Sequence, residues 1–301
     1  MKKMMRWCAA LGVAGLASMS GASVVTQWNL IVLGNLNNSS QDIEGNAWVG
    51  GNFTGGSPTV AKNLTPASNF LGQTTLAVAG NVSVGNLNMQ AGNLRYGGSF
   101  SGNFNANGGG NRAQQASLVS QVAGFAADLN GLSGFYKNLA ANSTVTAPNG
   151  QPGAVTYNAN PVNGLAVFNV AANSVFNSNL IQQINLNING ASAIVINVSG
   201  TTVNFTNGNM VGSWTSAFAR SKVIWNFHEA TNIFLDRNFN GAILAPKAHL
   251  RNTTAIDGSV FVNTMQQDGE VHLPMFTGII PAPGTLGALA VAGLFAARRR
   301  R

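Results

Sequence analysis

Three short apolar runs recur at a nearly constant interval in the C-terminal half of the chain, and this spacing limits the fold more than any other feature. The runs are Val223-Ile224-Trp225, Ala242-Ile243-Leu244 and Ser259-Val260-Phe261. A period of roughly 20 residues without a helical pattern predicts one coil of a β-solenoid per repeat, because a single coil cannot bury its own apolar face. We therefore expect Trp225, Leu244 and Phe261 to lie at matching positions on neighbouring layers. An antiparallel β-sandwich has similar spacing and remains an alternative.

The same rhythm appears earlier in the chain. The segments 76–80 (LAVAG) and 94–98 (LRYGG) have the same shape and lie one such period apart. Residues 184–190 (INLNING) alternate strictly between apolar and polar side chains, which is typical of a strand with one buried face. Glycine and asparagine between the runs favour the tight corners that join strands. The fold predicted is mainly β, a parallel β-helix with one long flanking helix and short apolar helices at both termini.

The flanking helix is predicted within residues 111–140, where the strand rhythm stops. A stripe of apolar side chains at alternating four- and three-residue steps favours one helix face packed against the body; its members are Leu118, Val122, Phe125, Leu129, Leu132, Tyr136 and Leu139. Three glycines lie off the stripe and each costs about 1 kcal/mol relative to alanine. We expect the helix to need tertiary support and to break near Gly131.

Charged residues are scarce, and most of the net positive charge lies at the termini. Only 8% of the 301 residues are charged, although the formal net charge is +8, whereas about a quarter is usual. Seven of the 16 basic residues are Lys2, Lys3, Arg6 and the arginines 298–301, which leaves nine basic against eight acidic residues in the body. A nearly neutral body without a recognition motif argues against nucleic-acid binding.

The segment 1–22 has the layout of a secretory signal peptide. A basic start is followed by an apolar centre and by the small residues Ser20-Gly21-Ala22, so signal peptidase is expected to cut after Ala22. The single cysteine, Cys8, would leave with this segment. Its place at the start of the apolar run also argues against a lipoprotein anchor.

Residues 278–301 form the most specific signal. Pro281-Ala282-Pro283 precedes an apolar segment, residues 284–297, and then Arg298, Arg299, Arg300 and Arg301. The arginines would resist translocation and stay in the cytoplasm. The pattern predicts an exported chain whose C-terminal helix sits transiently in the inner membrane until a protease cuts; a permanent membrane anchor is the alternative.

The tail and the body each resemble a known family. The tail resembles a PEP-CTERM sorting signal, with alanine in place of the usual glutamate, and the resemblance implies processing by an exosortase. The body resembles the choice-of-anchor A domain, an adhesive domain similar to collagen-binding modules, and this implies a β-helix with a helix alongside. The matching pieces are NLIVLGNL at 29–36, DIEG at 42–45, VGGN at 49–52, VIWNF at 223–227, GAILAP at 241–246 and GSV at 258–260.

Candidate chemistry is sparse. Asp42 and Glu44 stand two apart, so in a strand both carboxylates face the same way and could give Ca²⁺ two ligands; hydrogen bonds at a corner would satisfy them equally well. His228, His249 and His272 lack the frame of a zinc site. A charged set compatible with a polysaccharide lyase or hydrolase, or with paired charges at corners, comprises Asp236, Arg237, Lys247, Arg251 and Asp257.

These observations divide the chain into residues 1–22, a body of residues 23–277 and a tail of residues 278–301. We expect an exported protein of the cell surface or extracellular matrix, an adhesin or structural protein rather than an enzyme, without a cofactor. Its partners would be signal peptidase, an exosortase-type enzyme, and a matrix polysaccharide or surface protein. A carbohydrate-active enzyme is one alternative. Ice binding is another, although the threonines are scattered pairs and not a regular array.

Overall fold

A computed structural model describes residues 21–278 and Ile280. Four α-helices lie in this part of the chain: α1 (Gly21–Gln27), α2 (Val122–Lys137), α3 (Ala172–Val175) and α4 (Ala217–Lys222). Short 3₁₀ segments cover Ala67–Phe70, Ala116–Gln121 and Gly212–Thr215. None of these helices is both long enough and apolar enough to cross a bilayer.

Twenty-five strands make up most of the rest. The strands before α2 are β1 (Leu30–Val32), β2 (Leu36–Asn38), β3 (Asp42–Ile43), β4 (Ala47–Val49), β5 (Phe53–Gly55), β6 (Thr59–Val60), β7 (Thr74–Val78), β8 (Val82–Met89), β9 (Asn93–Tyr96), β10 (Phe100–Ala106) and β11 (Arg112–Gln114). Those after α2 and before α4 are β12 (Thr144–Thr146), β13 (Gly153–Asn158), β14 (Leu165–Ala171), β15 (Ile181–Asn187), β16 (Ala193–Ser199), β17 (Thr202–Phe205) and β18 (Asn209–Met210). The last are β19 (Val223–Asn226), β20 (Asn232–Leu235), β21 (Phe239–Asn240), β22 (Ala242–Asn252), β23 (Ile256–Asp257), β24 (Val260–Gln267) and β25 (Val271–His272).

Twenty-one of the strands stack into three ladders of parallel pairs. The other four, β12, β13, β15 and β18, form a separate sheet in which β12 and β13 are antiparallel. The first runs β11–β9–β7–β4–β1–β24–β22–β19–β16–β14. The second runs β10–β8–β5–β2–β24–β22–β20–β17. The third runs β10–β8–β6–β3–β25–β23–β21. Parallel pairing throughout this large sheet is consistent with the predicted β-helix and excludes the antiparallel sandwich for the described residues.

The layers are not in chain order. The first coil, which contains β1, lies in the middle of the stack between β4 and the late strand β24. From there the chain coils outward to β11, and α2 follows. Of the strands after α2, those of the first ladder begin at its opposite end, with β14, and coil back to β24.

The helix α2 packs on the outer side of the first ladder, as its stripe predicts. Leu129, Leu132 and Tyr136 are buried in a cluster with Ile31, Trp48 and other outward residues of the ladder. The Trp48 and Phe125 rings stack with centroids 4.1 Å apart. The expected break near Gly131 is wrong, because α2 continues unbroken to Lys137.

The expected alignment of three residues holds only in part. Leu244 pairs with Phe261 on the next layer, but Trp225 pairs with Ile243. Trp225 therefore points into the interior core, whereas Leu244 and Phe261 face α2. Two features of the strand pattern are confirmed: residues 76–78 pair with 94–96, and Ile184 and Leu186 are buried between more exposed asparagines.

Several predicted features fall at the edge of the described residues or beyond it. The predicted cleavage position, after Ala22, lies inside α1. Pro281, Pro283 and the four terminal arginines lie outside the described residues, as do residues 1–20 of the signal peptide and the apolar segment of the tail.

Candidate functional surfaces

The outward side of the second ladder carries two columns of side chains, which we call the polar face. One column comprises Ser101, Ser83, Thr54, Asn37, Gln266, Arg251, Phe234 and Asn204; the other comprises Ser99, Asn81, Asn52, Asn35, Thr264, His249, Asn232 and Thr202. None of the sixteen is buried. Eight layers at the usual strand spacing of about 4.8 Å make a face roughly 34 Å long.

Strand alternation turns these residues outward. Their neighbours in the same strands, such as Leu36, Phe53 and Val82, are fully buried in the interior core. Because successive side chains of a strand point to opposite faces, burying one set fixes the other in solvent. The polar face therefore follows from the burial of the apolar set.

Asparagine side chains bind one layer to the next at the start of this face. The Oδ1 of Asn35 accepts from the backbone N of Asn52 at 2.8 Å, and the Oδ1 of Asn52 accepts from the N of Asn81 at 2.9 Å. The Oδ1 of Asn81 in turn accepts from the N of Ser99 at 2.8 Å. Each amide oxygen satisfies a corner N–H that has no strand partner, so the face is held rigidly.

The polar face is nearly neutral. Arg251 is the only Arg or Lys in the two columns, and its Nε donates to Asp268 at 2.8 Å. His249 shares a 2.9 Å hydrogen bond with the hydroxyl of Thr264. The remaining groups are mostly amides and hydroxyls, which both donate and accept hydrogen bonds.

The predicted calcium ligands have protein partners. Asp42 forms an ion pair with Lys62, which raises the pKa of the Lys62 ammonium. The Oε2 of Glu44 accepts from the backbone N of Leu273 at 2.8 Å. The described residues contain no group of three or more His, Cys, Asp or Glu side chains arranged for a metal ion. Calcium binding at Asp42 and Glu44 stays an untested alternative to hydrogen bonds at a corner.

His272 lies between two carboxylates on adjacent layers. Its Nδ1 is 2.8 Å from Asp257 and its Nε2 is 2.6 Å from Glu270. The hydrogen bond with Asp257 is the main reason that the pKa of His272 rises to about 9. Burial alone would raise the pKa of Asp257, but the bond with His272 and the nearby Arg220 leave it below its usual value. Since both ring nitrogens are occupied, His272 serves as a positive link between layers rather than as a free base.

The charged set suggested for an enzyme is divided among separate contacts. Asp236 accepts from the hydroxyl of Thr253 at 2.5 Å, and Arg237 donates to the carbonyl of Thr206 at 3.0 Å. Arg251 binds Asp268, and Asp257 binds His272. The last two contacts fit the alternative expectation of paired charges, whereas Asp236 and Arg237 bind neutral groups.

The polar face was missed in the sequence, although a signal for it was present. Asn35 and Asn52 are one coil apart in the sequence, and so are Asn81 and Ser99. That spacing equals the period of the apolar runs, so it identifies side chains of one column once the coils are known.

Comparisons with known proteins give a family match and two likenesses to solved structures. Residues 21–273 match a family model described as "Putative Ice-binding-like adhesive domain". An ice-binding protein from the Antarctic ascomycete Antarctomyces psychrotrophicus is 13% identical, with 85% of this chain and 97% of that chain covered and a TM-score of 0.29. An ice-binding protein from an Antarctic bacterium, Flavobacteriaceae, is 11% identical, with 86% and 84% covered and a TM-score of 0.33. At these TM-scores neither likeness bears on function. No curated protein matches the chain.

Proposed function

The chain belongs to the family of ice-binding-like adhesive domains, and from that premise we propose that it is an exported adhesin that attaches to a neutral matrix polysaccharide. The observation that carries the proposal is the polar face: eight layers of outward amides and hydroxyls with a single, paired arginine charge. Adhesion would use many weak hydrogen bonds on one rigid surface and would need no catalytic step.

The chemistry of the face supports a polyhydroxyl ligand. Amides and hydroxyls can each donate and accept, as sugar hydroxyls do. A surface already ordered by the Asn35, Asn52 and Asn81 hydrogen bonds loses little conformational entropy on binding. Many weak contacts along one polymer also add through effective concentration.

Export and surface sorting are the second part of the proposal. Cleavage after Ala22 by signal peptidase and processing of the tail around Pro281 and Pro283 by an exosortase-type enzyme would deliver the body, residues 23–277 with the few residues before the second cut, to the cell surface or matrix. The resemblances to the choice-of-anchor A domain and to the PEP-CTERM signal support it. Mass spectrometry of the mature protein from its host should find both ends removed. An intact mass that retains residues 284–301 would contradict the sorting step and favour a permanent anchor.

Binding to insoluble polysaccharides tests the adhesive role. We expect purified residues 23–277 to co-sediment with at least one neutral polysaccharide from a panel, and Asn37→Glu combined with Ser83→Glu to abolish this. Asn130→Glu, an exposed change on α2, is the matched control and should bind normally. Retention of binding by the face variant would contradict the proposal, as would failure to bind any member of the panel. Release of soluble sugar would favour the rival enzyme function.

Ice binding is the second candidate, because the family description names it. Only three of the sixteen positions on the polar face are threonine, Thr54, Thr264 and Thr202, and they do not share one column at regular intervals. We expect little or no thermal hysteresis. A clear ice-growth inhibition that Asn37→Glu removes would favour ice as the ligand over polysaccharide.

A further inference from the structure

A cleft next to the C-terminal end of α2 lies apart from the polar face. Its volume is about 360 Å³, within the range of small-molecule sites. It is lined by Lys137, Asn169, Val170, Ala171, Asn197, Ser199 and His228. No carboxylate is among these residues, so the lining consists of one cation, amides, a hydroxyl and an imidazole over a small apolar floor.

Two lining groups have hydrogen-bonding capacity that the protein does not use. The Oδ1 of Asn169 accepts from Asn197 at 3.1 Å, which leaves the NH₂ of Asn169 without an acceptor among the described residues. The side chain of His228 is only 8% exposed and its Nδ1 has no hydrogen-bond partner there, since the Oε1 of Glu229 is 3.6 Å away. The unpaired nitrogen of the buried His228 costs free energy unless a ligand or solvent supplies a partner, whereas the NH₂ of Asn169 is exposed and free to donate to a ligand.

Lys137 is the one cation in the lining and could bind an anionic group. The Nζ of Lys137 lies 3.6 Å from the Oε1 of Glu229, and both side chains are about half exposed. The Oε2 of Glu229 accepts from the backbone N of Gly200 at 3.0 Å, which holds Glu229 in place. An exposed pair of this kind is weak, so an incoming carboxylate could replace Glu229 as the partner of Lys137.

We propose that this cleft binds the carboxylate of a sugar acid, with Lys137 and the amide of Asn169 as donors. The choice of a sugar rests on the proposed adhesion to polysaccharide; the carboxylate rests on the cleft alone. A second cleft of about 260 Å³ shares Asn169, Val170 and Ala171 and continues past Val145 and Ser174, so there is room for a neighbouring sugar ring. The cleft would thus recognise occasional acidic units of a polymer whose otherwise neutral chain lies on the polar face.

Soluble monosaccharides test the cleft without involving polymer adhesion. In calorimetric titrations at pH 7 we expect sodium glucuronate or galacturonate to bind at least tenfold more tightly than glucose. Lys137→Gln should weaken that binding tenfold or more, because a charge-assisted hydrogen bond is lost. Glu229→Gln should strengthen it about threefold, because the competing carboxylate is removed while an amide oxygen can still accept from Gly200. Lys222→Gln, outside the cleft, is the matched control and should change nothing.

Opposite results would overturn the inference. Equal affinity for glucose and glucuronate, unchanged binding in Lys137→Gln, or weaker binding in Glu229→Gln would each do so, provided the variants keep the melting temperature of the parent. Sodium acetate separates the sources of affinity: binding as tight as that of glucuronate would show that the sugar ring contributes nothing and would overturn the assignment to a sugar acid. Failure of the Asn37→Glu/Ser83→Glu variant to bind polymer, with glucuronate binding intact, would separate the two sites.

Discussion

At the scale of single residues, the structural role of a polar side chain depends on whether it finds a partner on the next layer. Asn35, Asn52 and Asn81 each bind the backbone one coil away. Asp42, Glu44 and Asp257 do the same with charged or backbone partners. Sequence analysis found the pair Asp42 and Glu44 but not their partners, because Lys62 and Leu273 come next to them only through stacking.

The ion pairs of His272 should make stability depend on pH. The pKa of His272 in the folded protein, about 9, lies above the ordinary value of 6.5. The stabilisation by protonated His272 is therefore complete below pH 6.5, and it is lost as the pH rises through 9 and the imidazole loses its proton. We expect the free energy of unfolding to fall by roughly 1–3 kcal/mol across this window, with the lower values reflecting solvent screening of the partly exposed ring.

Denaturant titrations from pH 6 to pH 10 will measure this loss. The variant His272→Gln should show a flatter profile, and His249→Gln, on the polar face, should retain the slope of the parent. Burial lowers the pKa of His228, so that group titrates below the window. Parallel profiles for the parent and His272→Gln would contradict the assignment.

Gly55 at the end of β5 should not tolerate a side chain. Its φ is +140°, and a Cβ there would collide with the backbone of Asn38 on the next layer. We expect Gly55→Ala to destabilise the protein by roughly 2–4 kcal/mol through backbone strain and overpacking. Gly72, with φ +81° and open space around it, is the comparison: Gly72→Ala should cost less, since it has strain but no collision. Chemical denaturation measures both free energies of unfolding. Equal losses in Gly55→Ala and Gly72→Ala would contradict the prediction, because they would show that the collision at Gly55 is relieved.

At the scale of elements, α2 is attached to the first ladder by polar as well as apolar contacts. The hydroxyl of Ser133 donates to the Oδ1 of Asn226 at 2.6 Å, and the Nδ2 of Asn226 donates to the carbonyl of Ser133 at 2.9 Å. Asn197 donates to the carbonyl of Tyr136 at 2.8 Å. These buried, satisfied bonds give the helix the tertiary support that its glycines require, which explains why it continues through Gly131.

Replacing the helix glycines should therefore stabilise the protein. A Cβ at Gly124, Gly131 or Gly134 would meet nothing within 4 Å, so only helix propensity changes. Each change to alanine should add up to about 1 kcal/mol, and the triple variant should raise the melting temperature measured by circular dichroism. A lower melting temperature would contradict this prediction, because it would mean that a Cβ at one of these positions collides with a neighbouring group.

Register is the part of the elements that the sequence left open. Val223–Asn226 and residues 242–245 are buried on both faces, because the interior core lies on one side and α2 on the other. Apolar runs of this kind have no alternation, so they do not indicate which side chains point inward. A shift of one residue exchanges the two faces, which is why the alignment predicted for Trp225 failed while that of Leu244 with Phe261 held.

At the scale of the whole molecule, the two halves of the chain meet at β1 and β24. Val260 lies against Leu30, and Met265 lies against Leu36, so the late coil buries the first one. The side chains of all four residues are almost completely buried. The stack is thus continuous only when a late layer sits beside an early one.

Removing that late layer should prevent folding. We expect a chain of residues 23–255 to expose the apolar edge of β1 and to aggregate or unfold, since each coil depends on its neighbours for burial. Size-exclusion chromatography and far-ultraviolet circular dichroism will test this, with residues 23–277 as the control. A monomeric truncated chain with the melting temperature of the control would contradict the dependence.

The sequence by itself determined the local features: the period of the coils, the β-rich character, the apolar stripe of α2 and the scarcity of charge. These are encoded by neighbours in the chain, through alternation, helical spacing and turn residues. Only the tertiary structure decided which coils touch, which way the doubly buried strands face, and which side chains gather on the polar face and in the cleft beside Lys137. Those outcomes depend on packing between residues far apart in sequence, and a repeat that would fit beside several others does not specify its own position in the stack.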